Sequence, residues 1–395
     1  MIRVVYVIGA LPRAGAARHL LQLVRGLDRA RFEPMIVCLR REGELLDEFA
    51  KEVEVEGLAV PSIRHPLFLP RMAGLLPAIR RRRPLIVHTY LFPSNVFGPV
   101  AARLAGAPAV ITSRRGMSDI EPARQHLAYR LTDPLVDRIV AVSGAVAASW
   151  AKVERLPLDR FTVIENGMDT TPYDGPRDPS LKRDLFGIPP GDTLVGLVSN
   201  FRPTKGQEHF IEMALRLAPS HPRVRFMIVG EGPGRSEAET RVREGGLADR
   251  FVFAGLRDDI PAVLRCLDVF AYPSYSEGIS NALMEAMAAG CPVVAARCPG
   301  NELLVGTAGR LVPPADPVAL AREVATLVAE PATARALGAA ARRRLRSEFS
   351  IARMTAGFER LYLECLAARG LAAAPTDGGG ATIASATRRQ GGSAR

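Results

Sequence analysis

The sequence predicts an α/β protein built from two doubly wound parallel-sheet halves that face a central cleft. Short β-branched runs alternate with longer amphipathic stretches, a pattern typical of a parallel sheet covered by helices. The alternation stops between Glu165 and Ser180, where Pro, Gly, Asp and Thr are dense, and then starts again. The 395 residues also exceed the ~250–300 at which single hydrophobic cores stop growing. Two such halves place a ligand cleft between the carboxyl ends of their sheets.

Six short runs are predicted strands of the first half, and helical patterns lie between most of them. These runs are Arg3–Ile8, Pro34–Leu39, Leu85–His88, Ala109–Thr112, Arg138–Val142 and Phe161–Ile164. One of the helices is expected to begin near Met72 and to end in a run of arginines.

Six further runs predict a second sheet of the same kind. They are Thr193–Ser199, Val224–Val229, Arg250–Ala254, Val269–Tyr272, Pro292–Ala296 and Gly309–Val312. Asp316 followed by Pro317 predicts a helix start by capping chemistry, and helices are expected to about Ala367. The last residues, 371–395, are Gly, Ala, Ser and Arg without pattern and are predicted to be disordered.

The formal net charge of +11 indicates an anionic partner. The densest basic run is Arg80, Arg81, Arg82 and Arg83, at the end of a predicted helix. Two interpretations stay open: peripheral contact with an anionic membrane, worth about 1 kcal/mol per basic residue, or a solvated helix end favoured by the helix dipole. Nucleic acid is not expected, because no basic stretch is interleaved with aromatic residues.

No apolar run reaches the ~18 residues of a membrane span, and the first residues carry no cleavage site. The expected location is cytoplasmic, with the inner face of the membrane as an option. The five cysteines are scattered and form no C-x-x-C pair, so they are predicted to be buried packing residues rather than disulfides or metal ligands.

The most informative segment runs from Tyr272 to Ala296. A strand is predicted to end near Tyr272, a loop carries Glu277, and a helix that holds Glu285 starts around Ser280. A helix N-terminus suits a phosphate, and carboxylates beside a bound diphosphate would accept hydrogen bonds from sugar hydroxyls. The alternative is two solvated acids, favoured early in a helix by its dipole.

This segment resembles the E-x7-E signature of retaining GT-B glycosyltransferases of family 4. The signature is Glu277 to Glu285, followed by the family's EAMAAGCPVVA run. Other strings are similar to the family in the expected order: VHTYLFPSNVFGPVAARLAGAP, VSGAV, ENGMD, SNFRPTKGQEHF, IVGEGPGR, FAGLRDDIPAVLRCLDVFAYPS, GNELL and GRLVPPADP. The resemblance covers roughly Met1 to Ala367.

The resemblance implies the GT-B fold, with two Rossmann-like domains. Residues 1–168 would form the acceptor-side domain, 169–180 a linker, and 181–350 the nucleotide-sugar domain. A helix at 351–370 would cross back to the first domain. The implied activity is retaining transfer of a sugar from a nucleotide diphosphate-sugar to a glycan or lipid-linked acceptor, in the synthesis of cell-surface polysaccharide, lipopolysaccharide or glycolipid.

The resemblance also implies roles for individual residues. Arg202 and Lys205 would neutralise the diphosphate as its bond to the sugar breaks, Glu277 would bind the transferred sugar, and these three form the predicted catalytic set. Glu285 would bind the ribose. The full predicted donor-binding set is Gly15, Arg202, Lys205, Leu256, Arg257, Glu277, Gly278, Ile279, Ser280, Asn281 and Glu285, with Leu256 and Arg257 against the base.

The chain departs from the family pattern at two places. It has Ala14-Gly15-Ala16-Ala17 where two glycines and a glutamate are usual, and Asn200 where many members have an arginine that Arg202 would replace. Acceptor-side candidates are His88 and Arg114, with Arg115 and His126 as further options for an anionic acceptor or a proton; each is alternatively structural or surface. Glu302 is also expected near the sugar.

No metal or cofactor is expected, because the chain lacks a D-x-D motif at a strand end and Asp258-Asp259 suits a base-side or capping role. Three alternatives stay open. A nucleotide-sugar epimerase of the same fold would use the same diphosphate site, and a non-catalytic sugar-nucleotide sensor would bind without transfer. A dehydrogenase is suggested by the glycines from Gly230 to Gly234, but they lack G-x-G-x-x-G spacing and better predict a tight turn.

Overall fold

The computed structural model describes residues 1–62, 64–175 and 180–371. In that part of the chain the first half contains seven strands: β1 (Ile2–Ile8), β2 (Phe32–Cys38), β3 (Val55–Gly57), β4 (Ile86–Tyr90), β5 (Ala109–Arg114), β6 (Arg138–Ala141) and β7 (Phe161–Val163). They form one sheet in the order β3-β2-β1-β4-β5-β6-β7, and every pairing is parallel.

The helices of this half cover the faces of the sheet. They are α1 (Gly15–Gly26), α2 (Leu46–Glu52), α3 (Phe68–Met72), α4 (Leu75–Arg82), α5 (Ser94–Leu104), α6 (Ala123–Thr132) and α7 (Gly144–Glu154). Separate apolar clusters cover the two faces: Val4, Tyr6 and Ile8 point to one face, and Val5 and Val7 to the other. This alternation along β1 is what the pleat of a strand buried on both faces requires.

The second half repeats the architecture with six strands among the described residues: β8 (Thr193–Val198), β9 (Val224–Val229), β10 (Phe251–Gly255), β11 (Val269–Tyr272), β12 (Val293–Ala296) and β13 (Arg310–Val312). Their order is β10-β9-β8-β11-β12-β13, again parallel throughout. The helices are α8 (Ser180–Phe186), α9 (Gln207–Leu217), α10 (Arg235–Glu244), α11 (Ile260–Cys266), α12 (Asn281–Ala288), α13 (Pro299–Val305), α14 (Pro317–Ala329), α15 (Pro331–Glu348) and α16 (Ile351–Ala367).

These two sheets confirm the predicted fold class, α/β with two doubly wound parallel sheets. The twelve predicted strands are all present, each within two residues of its predicted ends. The short edge strand β3 was not predicted, because three residues are too few to show a period of two.

The chain passes between the halves at two neighbouring points. The N–H of Met168 donates to the carbonyl of Phe349 at 2.9 Å, and Met168 also forms a bridge with Ser350. After Ser350, α16 packs on the first half, where Phe358 and Tyr362 join its core. The two crossings are therefore tied together, and α16 belongs to the N-terminal half by packing.

The basic run at the end of α4 is only partly a surface. Arg82 is 8% exposed, forms ion pairs with Glu54 and Glu56, and donates to the carbonyl of Ala78 at 3.0 Å. Arg81 also pairs with Glu56, while Arg80 and Arg83 are exposed. The expectation that all four arginines could face a membrane is wrong for Arg82, because the two acidic side chains beside β3 neutralise and bury it.

The remaining composition-based expectations have mixed outcomes. All five cysteines are buried, as predicted. Within the described residues, no helix combines the length and apolarity needed to cross a bilayer. The predicted disordered tail lies outside the described residues from position 372 onward.

Candidate active site

Glu277 lies in the loop between β11 and α12, and three donors hold one of its carboxylate oxygens. Oε1 accepts hydrogen bonds from Lys205 Nζ at 2.6 Å, from Tyr272 Oη at 2.7 Å and from Ser274 Oγ at 2.6 Å. The residue is only 9% exposed. Among the described residues none donates to Oε2. Glu277 therefore offers a second carboxylate oxygen from a fixed position.

The start of α12 fixes that position. Ser280 caps the helix, because its Oγ accepts from the N–H of Leu283 at 3.3 Å, and the same hydroxyl donates to Tyr272 Oη at 2.8 Å. Burial, and next the negative charge of Glu277, raise the pKa of Tyr272 well above its usual value. The Tyr272 hydroxyl thus stays protonated and donates a hydrogen bond to Glu277. The helix cap and the carboxylate therefore form one hydrogen-bond network.

The loop after β8 carries two cations, of which Lys205 contacts Glu277. Lys205 ends a 3-10 turn, Pro203–Lys205, and Arg202 comes just before it. The glycines after β9 support this loop. Gly230 has φ of 138°, and a Cβ there would lie 2.0 Å from the carbonyl oxygen of Ser199. The turn predicted from the glycine cluster therefore serves as a backbone support for the loop of Arg202 and Lys205.

A cavity of about 410 Å³ opens in front of Glu277, and we call it the Glu277 cavity. Seven residues of the predicted donor set line it: Gly15, Arg202, Lys205, Glu277, Ile279, Ser280 and Asn281. Asn200 lines it beside Arg202. Gly278 packs against the other half instead, since a Cβ there would lie 3.0 Å from the carbonyl oxygen of Arg115.

The charges around the Glu277 cavity favour an anion. Of the described residues that line it, Arg115, Arg202 and Lys205 are cationic and Glu277 is the carboxylate, which leaves two positive charges. Asn281 is the first residue of α12, so the free N–H groups of that helix end border the same space. A ligand with about two negative charges matches this arrangement.

Glu285, four residues along α12, borders a second cavity of about 340 Å³, which we call the Glu285 cavity. Its Oε1 accepts from Arg18 Nη1 of α1 at 2.7 Å. Burial raises the pKa of Glu285, while Arg18 and a hydrogen bond with Tyr173 act in the opposite direction. Asn166 and Asn281 line both cavities, so the two spaces are neighbours across the cleft.

The N-terminal half supplies the opposite wall of the Glu277 cavity. A Cβ on Gly15 would lie 3.4 Å from Asn281 Nδ2, so the start of α1 approaches the start of α12 closely. Arg115 Nη2 donates to Asn166 Oδ1 at 2.7 Å, and Asn166 Nδ2 donates to Asn281 Oδ1 at 3.4 Å. These polar contacts join the two halves at the mouth of the cleft.

His88 does not line either cavity, which corrects its assignment to the acceptor side. It is fully buried, with Nδ1 2.8 Å from Tyr362 Oη and Nε2 2.8 Å from Ser113 Oγ. Burial, and next the charge of Arg115, lower the pKa of His88 to about 3. His88 is therefore a neutral structural residue between β4 and α16, which was the other interpretation of a histidine at a strand end.

Arg114 is corrected for a similar reason. It is 1% exposed, and Nη2 lies 2.9 Å from Asp133 Oδ1 and 3.3 Å from Glu154 Oε1. Its guanidinium also stacks on Tyr129, with Cζ 3.9 Å from the ring centroid. Arg114 cannot reach an acceptor from this position. Its neighbour Arg115 points to the cavity instead.

Leu256 and Arg257 lie outside both cavities. Leu256 is 80% exposed, and Arg257 Nε donates to Asp259 Oδ1 at 2.7 Å while its guanidinium stacks on Phe186. The residues of this loop that line the Glu285 cavity are Asp258, Ile260 and Pro261. The loop predicted to contact the nucleotide base thus reaches the cleft. The residues of this loop that line the Glu285 cavity follow Leu256 and Arg257 in the sequence.

Two further candidates also lie elsewhere. Glu302 pairs with Arg297 at 2.8 Å and is not part of either cavity wall. Its neighbour Asn301 is buried and supports the Glu277 loop, because Asn301 Nδ2 donates to the carbonyl of Ser274 at 3.2 Å. His126 contacts the carbonyl of Glu121 at 3.2 Å, away from the cavities.

Sequence reasoning missed Tyr272 and Ser274 as partners of Glu277, and Arg18 and Tyr173 as partners of Glu285. Arg18 follows Gly15 by three residues, one helical turn, and this spacing could have indicated that it faces the cleft. In the part of the chain that the structure describes, no cluster of three or more His, Cys, Asp or Glu side chains could hold a metal.

Comparisons with known proteins show the family of this chain. The family model for glycosyltransferase family 4 matches residues 13–172, and the model for glycosyl transferases group 1 matches residues 192–330. The 2-deoxystreptamine N-acetyl-D-glucosaminyltransferase of Streptomyces fradiae is 30% identical over 349 residues, 80% of this chain and 83% of that protein. The chain belongs to glycosyltransferase family 4.

The names of other relatives of this glycosyltransferase specify different acceptors. The 2-deoxystreptamine glucosyltransferase of Streptomyces kanamyceticus is 32% identical over 277 residues, 64% of this chain and 70% of that protein. The UDP-Gal:alpha-D-GlcNAc-diphosphoundecaprenol alpha-1,3-galactosyltransferase of Escherichia coli is 26% identical over 306 residues, 74% of this chain and 78% of that protein. Anabaena HepE, solved in complex with UDP and glucose, has a TM-score of 0.81 at 21% identity, covering 91% of this chain and 99% of that one; it supports the GT-B fold.

Proposed function

We propose that this glycosyltransferase is a retaining enzyme that transfers a sugar from a nucleoside diphosphate-sugar to an acceptor hydroxyl without a metal ion. The observation that carries the proposal is the contact between Lys205 Nζ and Glu277 Oε1, 2.6 Å apart on the wall of a cationic cavity. A cation for the departing phosphate and a carboxylate for the sugar hydroxyls are the two groups that such a transfer needs side by side.

The two cavities suit the two ends of the donor. In the proposal the diphosphate and transferred sugar occupy the Glu277 cavity, between Arg202, Lys205 and the start of α12. The nucleoside occupies the Glu285 cavity, where Glu285 accepts from the ribose hydroxyls. The volumes of about 410 and 340 Å³ fall in the range of ligand pockets.

Retention follows from the proposed direction of attack. The bond between C1 of the sugar and the phosphate oxygen breaks while the acceptor oxygen bonds to C1 on the same face. The acceptor proton passes to the departing phosphate oxygen, and a nucleoside diphosphate is released. Arg202 and Lys205 stabilise the negative charge on that phosphate as it develops.

The acceptor is proposed to be a glycan or a lipid-linked sugar, by analogy with the Escherichia coli relative, whose name specifies a diphosphoundecaprenol-linked acceptor. The two Streptomyces relatives are named for 2-deoxystreptamine and define the competing acceptor class.

Exposed Arg80 and Arg83 at the end of α4 support peripheral contact with anionic lipid. Co-sedimentation with phosphatidylglycerol vesicles, and its loss in Arg80→Glu with Arg83→Glu, would test that contact.

The test of the donor is a thermal-shift and calorimetric screen against UDP, GDP, ADP and dTDP and their common sugar conjugates, with EDTA present. We expect one nucleoside diphosphate to stabilise the protein, because it binds the folded state alone, and Lys205→Ala to abolish the shift. Proton NMR of the product would then show whether the anomeric configuration of the donor is kept. Binding that requires a metal, or an inverted product, would contradict the proposal.

A further inference from the structure

Arg115 lies on the wall of the Glu277 cavity, and among the described residues no carboxylate forms an ion pair with it. Arg18 pairs with Glu285, and Arg114 pairs with Asp133 and Glu154. Among the described residues, the hydrogen-bond partner of the Arg115 side chain is the amide oxygen of Asn166, 2.7 Å from Nη2. Nη1 is closed off from solvent and has no partner there at all.

Such an arrangement is costly unless a ligand completes it. A guanidinium taken out of water loses hydration that one neutral amide cannot replace. Burial is also the main cause that lowers the pKa of Arg115, to about 10, yet at that value the side chain keeps its charge at neutral pH. The bond from Nη2 to Asn166 is the side-chain hydrogen bond of Arg115 within the described residues, and a cation with unmet donors on the wall of a cavity is suited to bind an anion.

The position of Arg115 indicates which kind of anion it could bind. It lines the Glu277 cavity from the N-terminal half, opposite Arg202 and Lys205 of the C-terminal half. Its backbone carbonyl also meets the Glu277 loop, since a Cβ on Gly278 would approach that oxygen to 3.0 Å. A guanidinium presents several donors in a fixed fork, the geometry that a phosphate group accepts.

We propose that Arg115 binds a phosphate group of the substrates and is the cation through which the N-terminal half holds that group against Arg202 and Lys205. The inference rests on the proposed function, because it places a phosphate in the Glu277 cavity. Two sources share this chemistry: the diphosphate of the donor and a phosphate carried by the acceptor. A contact from each half also makes closure of the cleft depend on the bound anion.

The donor source is tested by isothermal titration of the wild type, Arg115→Met and Arg115→Lys with UDP, GDP, ADP and dTDP, and with the matching nucleosides. If Arg115 contacts the diphosphate, Arg115→Met should weaken diphosphate binding roughly 10- to 100-fold, as expected for loss of a charged hydrogen bond, and leave nucleoside binding unchanged. Arg115→Lys should recover part of the loss, since it keeps the charge but not the fork. Arg335→Met removes an exposed arginine of α15 and is the matched control.

The acceptor source is tested with inorganic phosphate added to protein that is saturated with the nucleoside diphosphate. If Arg115 contacts an acceptor phosphate, diphosphate binding stays as in the wild type, and stabilisation by inorganic phosphate disappears in Arg115→Met. Thermal unfolding and circular dichroism of each variant show that it is folded.

The inference is overturned if Arg115→Met is folded and matches Arg335→Met in both titrations while Lys205→Ala loses diphosphate binding. If the wild type binds none of the diphosphates, the proposed donor site fails by itself. Arg115 is then judged on inorganic phosphate alone, and equal stabilisation of wild type and Arg115→Met would refute the phosphate contact.

Discussion

Arg18 and Glu285 join the two halves of the molecule through an ion pair, with Arg18 Nη1 2.7 Å from Glu285 Oε1. Arg18 comes from α1 of the N-terminal half and Glu285 from α12 of the C-terminal half. The arginine side chain is 35% exposed and the carboxylate 7% exposed. The glutamate proposed to bind the ribose is therefore already held by the opposite half, so donor binding and the relative position of the halves share one residue.

Arg18→Met should destabilise the protein more at pH 8 than at pH 5. Burial raises the pKa of Glu285 above its unfolded value, so the ionised carboxylate costs stability as pH rises above the usual carboxyl range, and losing Arg18 raises that cost. We expect a loss of about 1–2 kcal/mol at pH 8, reduced from the value for a fully buried pair because Arg18 is partly solvated. Urea unfolding at both pH values measures it. Arg18→Lys should recover most of the loss, and an equal loss at both pH values would contradict the explanation.

The fold was predictable because its signals are local. Each strand that is buried on both faces of its sheet appears in the sequence as a short apolar run. The break after Glu165 separates two series of such runs. The cluster of Glu277, Ser280 and Asn281 was also predictable, since those residues are consecutive or within one turn at the start of α12.

Long-range partners explain what the sequence did not reveal. Arg114 and Arg115 are neighbours of the same type, and they differ because Asp133 and Glu154, from later elements, form ion pairs with Arg114. Arg82 is neutralised by Glu54 and Glu56 in the same way. The sequence around an arginine does not show which acidic residues the fold will bring to it. Only the structure therefore distinguishes Arg115, which lines the cavity, from Arg114.

Glu277→Gln should lower kcat by roughly 100-fold or more while changing the Kd of the nucleoside diphosphate little. The substitution keeps the shape of the side chain but removes the charge that orients Lys205 and binds the sugar hydroxyls, and groups of this kind are worth about 10²–10³ in rate. Initial rates and calorimetry on one preparation separate the two effects. Glu302→Gln is the control, because Glu302 is an acid of the neighbouring helix outside both cavities. A similar loss of kcat in both variants would contradict the proposed role of Glu277 in binding the transferred sugar.

His88 should stay neutral from pH 5 to pH 8. Its pKa is lowered to about 3, chiefly by burial, and its two ring nitrogens are engaged by Tyr362 and Ser113. The Cε1–Hε1 signal of His88, assigned by its absence in His88→Asn, should therefore keep a constant chemical shift over that range. A midpoint near the ordinary value of 6.5 would show that the ring is solvated and would restore His88 as a candidate for proton transfer.

Glu154→Gln should remove part of the pH dependence of stability. Burial, assisted by the nearby charge of Asp133, raises the pKa of Glu154 above that of an ordinary glutamate, while Arg114 acts in the opposite direction. Because the native state then binds the proton more tightly than the unfolded state, the wild type loses stability as pH rises above the ordinary carboxyl range. The variant should match the wild type near pH 5 and exceed it at pH 8, in urea unfolding. Asp133→Asn, which takes the other carboxylate from Arg114, should instead be less stable at both pH values.

Gly230→Ala should damage the donor site as well as the fold. A Cβ at Gly230 would lie 2.0 Å from the carbonyl oxygen of Ser199, so the backbone that leads to Arg202 and Lys205 must move. Gly246→Ala is the matched control, since Gly246 also has a positive φ, 70°, but a Cβ there meets nothing within 4 Å. The control should lose about 1 kcal/mol from backbone strain alone. Gly230→Ala should lose about 3 kcal/mol or more and bind the nucleoside diphosphate more weakly even where it is fully folded. Equal affinities in the two folded variants would mean that the glycine turn supports the sheet but does not position the two cations.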